Sequence, residues 1–314
     1  MTLSTTPPVT TRVSSAHAAQ LMRAATYAST SVALVLIVLK LYAWSQSNSI
    51  SLLATLVDSC LDALASVINL LAVRHALTPA DHEHRFGHGK AEALAGLGQA
   101  AFITGSAGFL LVEAVQRLLN PVLPSATALG QTVMVISIAL TLALVLFQRY
   151  VVAKTGSTAI SADALHYKSD LLVNAAVIVA LFFAARGHWL VDPLLALAVG
   201  FYILYSAWEI VREAGDHLMD RELPEEEREA LKAVLAGQRD LRGYHDLRTR
   251  RAGIDTFIQV HIELDDHLNL LQAHVISDRI EEALMAAYPG AEVLIHIDPV
   301  SVAAQEPPPP YLAS

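Results

Sequence analysis

The sequence predicts a six-helix all-α transmembrane domain followed by a small C-terminal α+β domain. Three observations carry this fold class. Six apolar stretches, each near the ~20 residues needed to cross a bilayer, fill the chain as far as Val211. Only 16% of the 314 residues are charged and 54% are hydrophobic, against roughly 25% charged in soluble globular proteins. Beyond about Glu213 the long apolar runs stop, and shorter segments alternate between helical and strand periods.

The six stretches are Ala24–Trp44, Ile50–Val73, Ala91–Leu118, Ala128–Val152, Ile160–Ala185 and Leu190–Val211. Turn chemistry separates them at Ser47-Asn48-Ser49, at Asn120-Pro121 with Pro124, and at Arg186-Gly187-His188. Met1 to Gln20 is polar and lacks the basic start and short apolar core of a signal peptide. Basic residues alternate between linkers. Arg12 and Arg23 precede span one, Arg74, Arg85 and Lys90 follow span two, Arg149 and Lys154 follow span four, and Arg212 follows span six. That alternation predicts both termini in the cytoplasm. Lys40, late in span one, is expected to snorkel outward. Cys60 is the one cysteine, so no internal disulfide forms, and it reads as a small buried residue.

The C-terminal segment predicts a helix over Pro224–Ala236, strands over His245–Thr249 and Thr256–Leu264, a helix over Leu270–Ala287 and a strand over Glu292–Asp298. In the second strand Ile258, Val260, Ile262 and Leu264 alternate with polar neighbours, the period of two expected of a half-buried strand. The order αββαβ predicts helices packed on one face of a sheet. The expected division is an N-terminal cytoplasmic segment 1–23, a membrane domain 24–212, a cytoplasmic domain 213–300 and a tail 301–314. The tail, with Pro307–Pro310, reads as disordered. A net charge of −9 argues against nucleic acid as a partner.

Ionisable residues inside the spans carry the chemistry. Asp58 and Asp62 lie four apart in span two, and His166 and Asp170 lie four apart in span five, so each pair shares one helix face. Counting ~1.5 Å per residue, both pairs fall near mid-bilayer. The two spans run in opposite directions and can bring the pairs to one depth. Ser66 and Asn69 continue the first polar stripe, and Asn174 the second. A carboxylate at the helix centre costs about 2.5–3.5 kcal/mol. Protonation would relieve that cost without explaining the clustering. A divalent cation relieves it and explains the clustering. Three carboxylate oxygens and one imidazole complete a tetrahedron that suits zinc and admits iron(II), cadmium or manganese. Polar helix contacts or a metal-free proton relay are the bland alternatives. Metal must displace the proton of a histidine that titrates near pH 6.5, which makes metal–proton exchange chemically plausible.

These stretches, SLLATLVDSCLDALASVINLLAV, PADHEHRFGHGKAEALA, ALHYKSDLLVNA and HDLRTR…FIQVHIEL…QAHVISD…HIDP, resemble the cation diffusion facilitator family, closest to its bacterial zinc/iron-efflux branch. The resemblance covers nearly the whole chain. It implies a homodimer in the bacterial inner membrane and a cytoplasmic ferredoxin-like, metallochaperone-like domain. It also implies export of metal from the cytoplasm driven by protons. It carries the transport site onto Asp58, Asp62, His166 and Asp170. Relatives with His in place of the first of these aspartates are narrowly zinc-selective, so Asp58 implies broader selectivity.

Asp81, His82, Glu83, His84 and His88 lie between spans two and three and read as either a solvated loop or a metal site. The resemblance carries a loop site onto Asp81, His84 and His88 and leaves His82 without a role. Gly87-His88-Gly89-Lys90 lacks the spacing and preceding strand of a phosphate loop. In the C-terminal domain His245, His261, His274, His296 and Asp298 are dispersed in sequence, and spacing alone leaves them as surface histidines. The resemblance assigns them to a two-metal site that helps hold the dimer. Asp278 is one turn from His274, a spacing that lets it support that ligand. It also places an interlock of membrane and soluble parts on Lys90 and Asp220. Gly96, Gly98, Gly105 and Gly108 in span three permit close helix contact.

A membrane metalloenzyme needs three protein ligands and an open position. Four ligands and the lack of an HExxH pattern argue against that class. A membrane-anchored metal sensor that binds without transporting is the remaining alternative.

Overall fold

The computed structural model describes residues 15–47, 50–120, 128–184, 186, 188 and 190–305. Most of the N-terminal segment, Asn48 and Ser49, Pro121 and Pro124, Gly187 and the Pro307–Pro310 tail lie outside the described residues. The chain divides into a unit of His17–Gly215 and a second unit that contains Asp216 onward.

The first unit is built from six long helices: α1 (Ser15–Ser47), α2 (Ile50–Ala76), α3 (Ala91–Leu119), α4 (Ala128–Thr155), α5 (Thr158–Ala184) and α6 (Val191–Leu218). Helices suit a bilayer because they satisfy their own backbone polar groups. The large apolar side chains Val38, Phe109, Phe201 and Trp208 are exposed. In water such a surface would be a liability, and against lipid tails it is not. α1, α2, α3, α4 and α6 each contain a segment long and apolar enough to cross a membrane. Among the described residues α5 is not in that set, and it carries Asp163, Lys168 and Asp170 in its first half.

Packing explains how α5 carries that charge. Residues 157–167 are almost all buried, so most of the first half of α5 is withheld from lipid. On one side Ala162 and Leu165 pack with Ala100, Ile103 and Ala107 of α3 and Ile203, Ala207 and Ile210 of α6. Small side chains let these helices approach closely. On another side Tyr167 packs with Leu144 and Val145 of α4, flanked by Ala28 and Val32 of α1. A Cβ on Gly96 would lie 3.0 Å from Thr158 Cγ2, so this glycine permits the contact of α3 with α5. Gly98, Gly105 and Gly108 have nothing within 4 Å of an added Cβ. The predicted close contact is therefore made within the described chain at Gly96 and not at the other three. At the start of α5, buried Glu92 accepts a hydrogen bond from the Ala159 amide at 3.4 Å, the carboxylate placement favoured at a helix N-terminus.

The second unit contains α7 (Glu225–Ala236), β1 (Gly243–Ala252), β2 (Asp255–Leu264), α8 (Leu270–Ala287), β3 (Ala291–Pro299) and the short α9 (Val300–Ala303). The sheet order is β1-β2-β3, with β1 antiparallel and β3 parallel to the central β2. Ile258, Val260, Ile262 and Leu264 point into one core with Leu231 and Leu235 of α7 and Ile280 and Leu284 of α8. Three acidic residues open α7, where the helix dipole favours them. Asn269 and Gln272 close a reciprocal capping box that starts α8. The αββαβ order follows the sequence expectation, and α9 is an addition to it.

Candidate metal centres

The first cluster lies inside the helical unit. α2 and α5 bring Asp62, His166 and Asp170 together so that one ligand atom from each lies within 4.8 Å of the others. His166 Nε2 stands 3.1 Å from Asp62 Oδ1 and 3.9 Å from Asp170 Oδ2. His166 is buried, and the two carboxylates are partly accessible. Asp58, one turn before Asp62 on α2, is exposed and outside that group of three. One imidazole facing two carboxylates is the donor set that a borderline divalent cation prefers, and it leaves room for a fourth ligand.

Two features of this cluster were not anticipated from the sequence. Lys40 does not snorkel outward. Its ammonium donates to Ser59 Oγ at 2.6 Å and to the Thr55 carbonyl at 3.1 Å, both on α2. Asp58 precedes Ser59, so a cation reaches the edge of the cluster from α1. The sequence signal was a lysine inside a span, whose length allows it to reach either lipid headgroups or a neighbouring helix. The second feature is Asp163, three residues before His166 and fully buried. Gln148 Nε2 donates to its Oδ2 at 2.6 Å, and Gln99 Nε2 lies 3.4 Å from its Oδ1. Beside it the Tyr167 hydroxyl meets Ser66 Oγ at 2.7 Å and the Ser29 carbonyl at 3.3 Å. The polar stripe from Ser66 thus continues into a buried network that fixes α5 against its neighbours. Asn174 is partly buried.

The second cluster follows α2. Asp81, His84 and His88 also offer ligand atoms within 4.8 Å of one another. The turn is made by Asp81 itself, whose Oδ1 accepts from the His84 amide at 2.7 Å and the Glu83 amide at 2.9 Å. These amides hold the Asp81 carboxyl below its ordinary range, with the His84 amide the larger influence. Gly87, at φ 77°, lets the chain turn back toward His88. His88 is buried, and its Nδ1 faces the Thr78 carbonyl at 3.3 Å. A carbonyl only accepts, so Nδ1 donates there, and Nε2 stands 3.4 Å from Asp81 Oδ2, a spacing that a cation ligated by both could bridge. The His75 ring, at the end of α2, packs edge-on against His88 at 4.6 Å. His82 and Glu83 are exposed.

The third cluster lies on the sheet. Strand register places His245 of β1 directly opposite His261 of β2, and His261 beside His296 of β3. Three histidines dispersed over the sequence therefore form one row across three strands, on the face away from the helices. Asp298, two residues beyond His296, is buried beneath them. Its oxygens lie 2.9 Å from His261 Nδ1, 3.1 Å from His296 Nε2 and 3.6 Å from His245 Nε2. His245, His261 and Asp298 meet the 4.8 Å criterion. Glu263 Oε1 accepts from His245 Nδ1 at 2.9 Å, which directs His245 Nε2 to the cluster. A β-bulge between His245 and Arg248, with Asp246 at φ 49°, brings Asp246 Oδ2 within 4.0 Å of His261 Nε2. Glu263 and Asp246 were not singled out from the sequence, because register and bulge, not spacing, bring them in. His274 is exposed on α8, pairs with Asp278 at 3.3 Å and is outside the group of three. Lys90 precedes α3 in the helical unit, and Asp220, in the second unit, accepts from Arg250 at 3.3 Å.

Comparison with known proteins finds the same two-part organisation. A family profile described as the cation efflux transmembrane domain matches residues 26–219, and one described as the cytoplasmic domain of cation efflux proteins matches residues 223–300. A cation-efflux pump FieF of Pectobacterium carotovorum subsp. carotovorum (strain PC1) is 50% identical over 285 residues, which covers 91% of this chain and 95% of that protein. The cation-efflux pump FieF of Serratia proteamaculans (strain 568) is 49% identical over 284 residues, 90% of this chain and 95% of that protein. A solved structure of the metal-bound C-terminal domain of the CzcD transporter from Thermotoga maritima is 28% identical over 24% of this chain and 88% of that chain, with a TM-score of 0.23. The helical unit, the αββαβ unit, the two family profiles and the two FieF relatives agree, and the chain belongs to the cation efflux family, that is, the cation diffusion facilitators.

Proposed function

We propose that the chain exports a divalent transition-metal cation, with Asp62, His166 and Asp170 as ligands of the transported ion and Asp58 as the fourth. The observation that carries this reading is the convergence of two carboxylates and one imidazole from α2 and α5 within 4.8 Å, inside a helical membrane unit. Asp58 joins by a rotamer change or a small movement of α2, and Lys40 occupies its neighbourhood until then.

Protons are the coupling ions. Metal entering from the cytoplasm takes the lone pair of His166 and displaces any proton there. Protons arriving from a more acidic exterior re-form the imidazolium, which pairs with Asp62 and releases the metal. Alternating access about a mid-membrane site gives exchange. Both termini and the second unit are cytoplasmic, the membrane is the bacterial inner membrane, and nucleic acid is not a partner. Residues 24–212 form the membrane domain, 213–300 the cytoplasmic domain and 301–314 the tail.

The chain works as a homodimer. Zinc or a similar ion is held in the cytoplasmic domain by His245, His261, His296 and Asp298, with His274 completing a two-metal arrangement. The donor set fits such an ion, because ring nitrogens of three imidazoles surround one buried carboxylate, and a bound cation would take the place of the protons they share with it. Asp81, His84 and His88 form a further cytoplasmic site. Lys90 and Asp220 interlock the two domains near the dimer interface.

The test is uptake of zinc, iron(II), cadmium and manganese, run in parallel, into proteoliposomes with an imposed pH gradient. Gradient-dependent flux of more than one of these ions supports the reading. Metal binding without flux would turn it into the sensor alternative.

A further inference from the structure

A cavity of about 660 Å³ lies among α4, α5 and α6, apart from all three clusters above. Its charged lining is Arg149, Lys168, Glu209 and Glu213. Two cations thus face two carboxylates, and among the described residues no ion pair joins any of the four to another. Lys168 instead donates to the Tyr202 hydroxyl, Glu213 accepts from Thr158 at 3.2 Å, and Glu209 is bonded by the Tyr205 hydroxyl. Arg149 has no side-chain partner among the described residues. Opposite charges held near one cavity yet kept apart match a ligand that is itself a separated pair of charges.

The cavity is not part of the ion path. Ser161, Leu165 and Lys168 line it at i, i+4 and i+7 of α5. His166 and Asp170 follow Leu165 and Lys168 by one and two residues, which turns them by about 100° and 200° away from that face. Its depth is also distinctive. Arg149 and Glu213 lie about 9 Å and 8 Å from the ends of α4 and α6, and Lys168 and Glu209 about 15 Å and 14 Å from the ends of α5 and α6, at 1.5 Å per residue. All four sit toward the same side of the unit, the side that the basic-residue count predicts to be cytoplasmic. Val145, Leu165 and Ile210 give the cavity an apolar wall suited to acyl chains.

We propose that this cavity binds the headgroup of a zwitterionic phospholipid with a primary ammonium, phosphatidylethanolamine, from the cytoplasmic leaflet. The phosphate meets Arg149 and Lys168. The ammonium donates its N–H groups to Glu209 and Glu213, which a quaternary choline ammonium cannot do. An anionic phosphatidylglycerol headgroup satisfies the cations and leaves both carboxylates facing its negative charge.

The experiment is native mass spectrometry of the delipidated full-length protein, titrated separately with phosphatidylethanolamine, phosphatidylglycerol and phosphatidylcholine. Arg149→Gln and Glu209→Gln are compared with the parent, and Lys168→Gln is a second probe of the phosphate end. Arg149 and Glu209 are exposed, so neither change should disturb folding, and thermal midpoints recorded in parallel verify this. Phosphatidylethanolamine binds the parent about tenfold tighter than the other two lipids, and each variant loses about tenfold of that affinity, the loss of one charge-assisted contact. Glu209→Gln strengthens phosphatidylglycerol binding. Equal binding of phosphatidylglycerol and phosphatidylethanolamine by the parent, or phosphatidylethanolamine binding that survives Glu209→Gln undiminished, overturns the proposal.

Discussion

Lys40 of α1 donates to Ser59 of α2 at 2.6 Å, which sets an ammonium one residue from Asp58 at the edge of the Asp62–His166–Asp170 cluster. A fixed positive charge there opposes a second one. Lys40→Gln should therefore tighten the apparent affinity for a divalent cation by about tenfold, the equivalent of 1.4 kcal/mol. Initial rates of uptake against metal concentration check this. An unchanged or weakened affinity would mean that Lys40 acts only as a structural tie between the two helices.

Asp163 is the acceptor on which the buried Gln148 amide depends, at 2.6 Å. Asp163→Ala orphans the Gln148 amide, while Gln99 keeps its bond to the Ala65 carbonyl at 3.2 Å, and a buried donor without a partner costs about 1–3 kcal/mol. The variant should unfold at lower temperature in detergent, with a loss of about 1–3 kcal/mol. Asp163→Asn keeps one carbonyl oxygen and should lose roughly half as much. Equal midpoints for the parent and Asp163→Ala would remove the buried network from the account.

The Asp81 turn carries a pH signature. Backbone amides hold the Asp81 carboxyl below its ordinary value. A group depressed in the folded state contributes stability that is present above its unfolded pKa, ~3.9. That contribution is lost as pH falls through the lower folded value. Hydrogen exchange at the His84 and Glu83 amides should accordingly stay slow on acidification to about pH 4, relative to intrinsic rates, and quicken only below it. Asp81→Asn should abolish that pH dependence while keeping an acceptor in place. Loss of protection already near pH 6 would contradict the assignment.

On the sheet, Glu263 orients His245 through a 2.9 Å hydrogen bond without entering the group of three. Carboxylates placed behind a ligating histidine are worth about 10–100-fold in metal affinity. Glu263→Gln should weaken zinc binding by the second unit by that factor and leave its circular dichroism unchanged. Equilibrium dialysis of the full-length protein, with Asp62→Ala and His84→Ala present to silence the other two clusters, measures it. Full affinity in Glu263→Gln would show that His245 is held by other contacts.

The parts of the fold that were legible in the sequence are those set by local pattern. α8 runs over Leu270–Ala287, as its helical period predicts, and β2 differs from its predicted range by one residue. α1 and α6 run past their apolar stretches, to Ser15 at one end and Leu218 at the other. A helix need not stop where apolar residues do, so hydropathy bounds a span and not its helix. Helical spacing put Asp58 with Asp62, and His166 with Asp170, on shared faces. It could not say that Asp58 stays outside the group while Lys40 reaches in, since that depends on how α1 packs against α2. Asp163 and its glutamines were equally hidden, because their contacts join α3, α4 and α5. Likewise, the row His245–His261–His296 is a product of strand register, which no spacing in the chain expresses.

The proposed transport depends on Asp62 and His166, from two helices, holding the ion together. The direct measurement is zinc uptake into proteoliposomes across an imposed pH gradient for the parent, Asp62→Ala and His166→Ala, with equal reconstitution verified. The expected result is gradient-dependent uptake by the parent and its loss, by about 100-fold or more, in each variant. Uptake at the parental rate in both variants would contradict it.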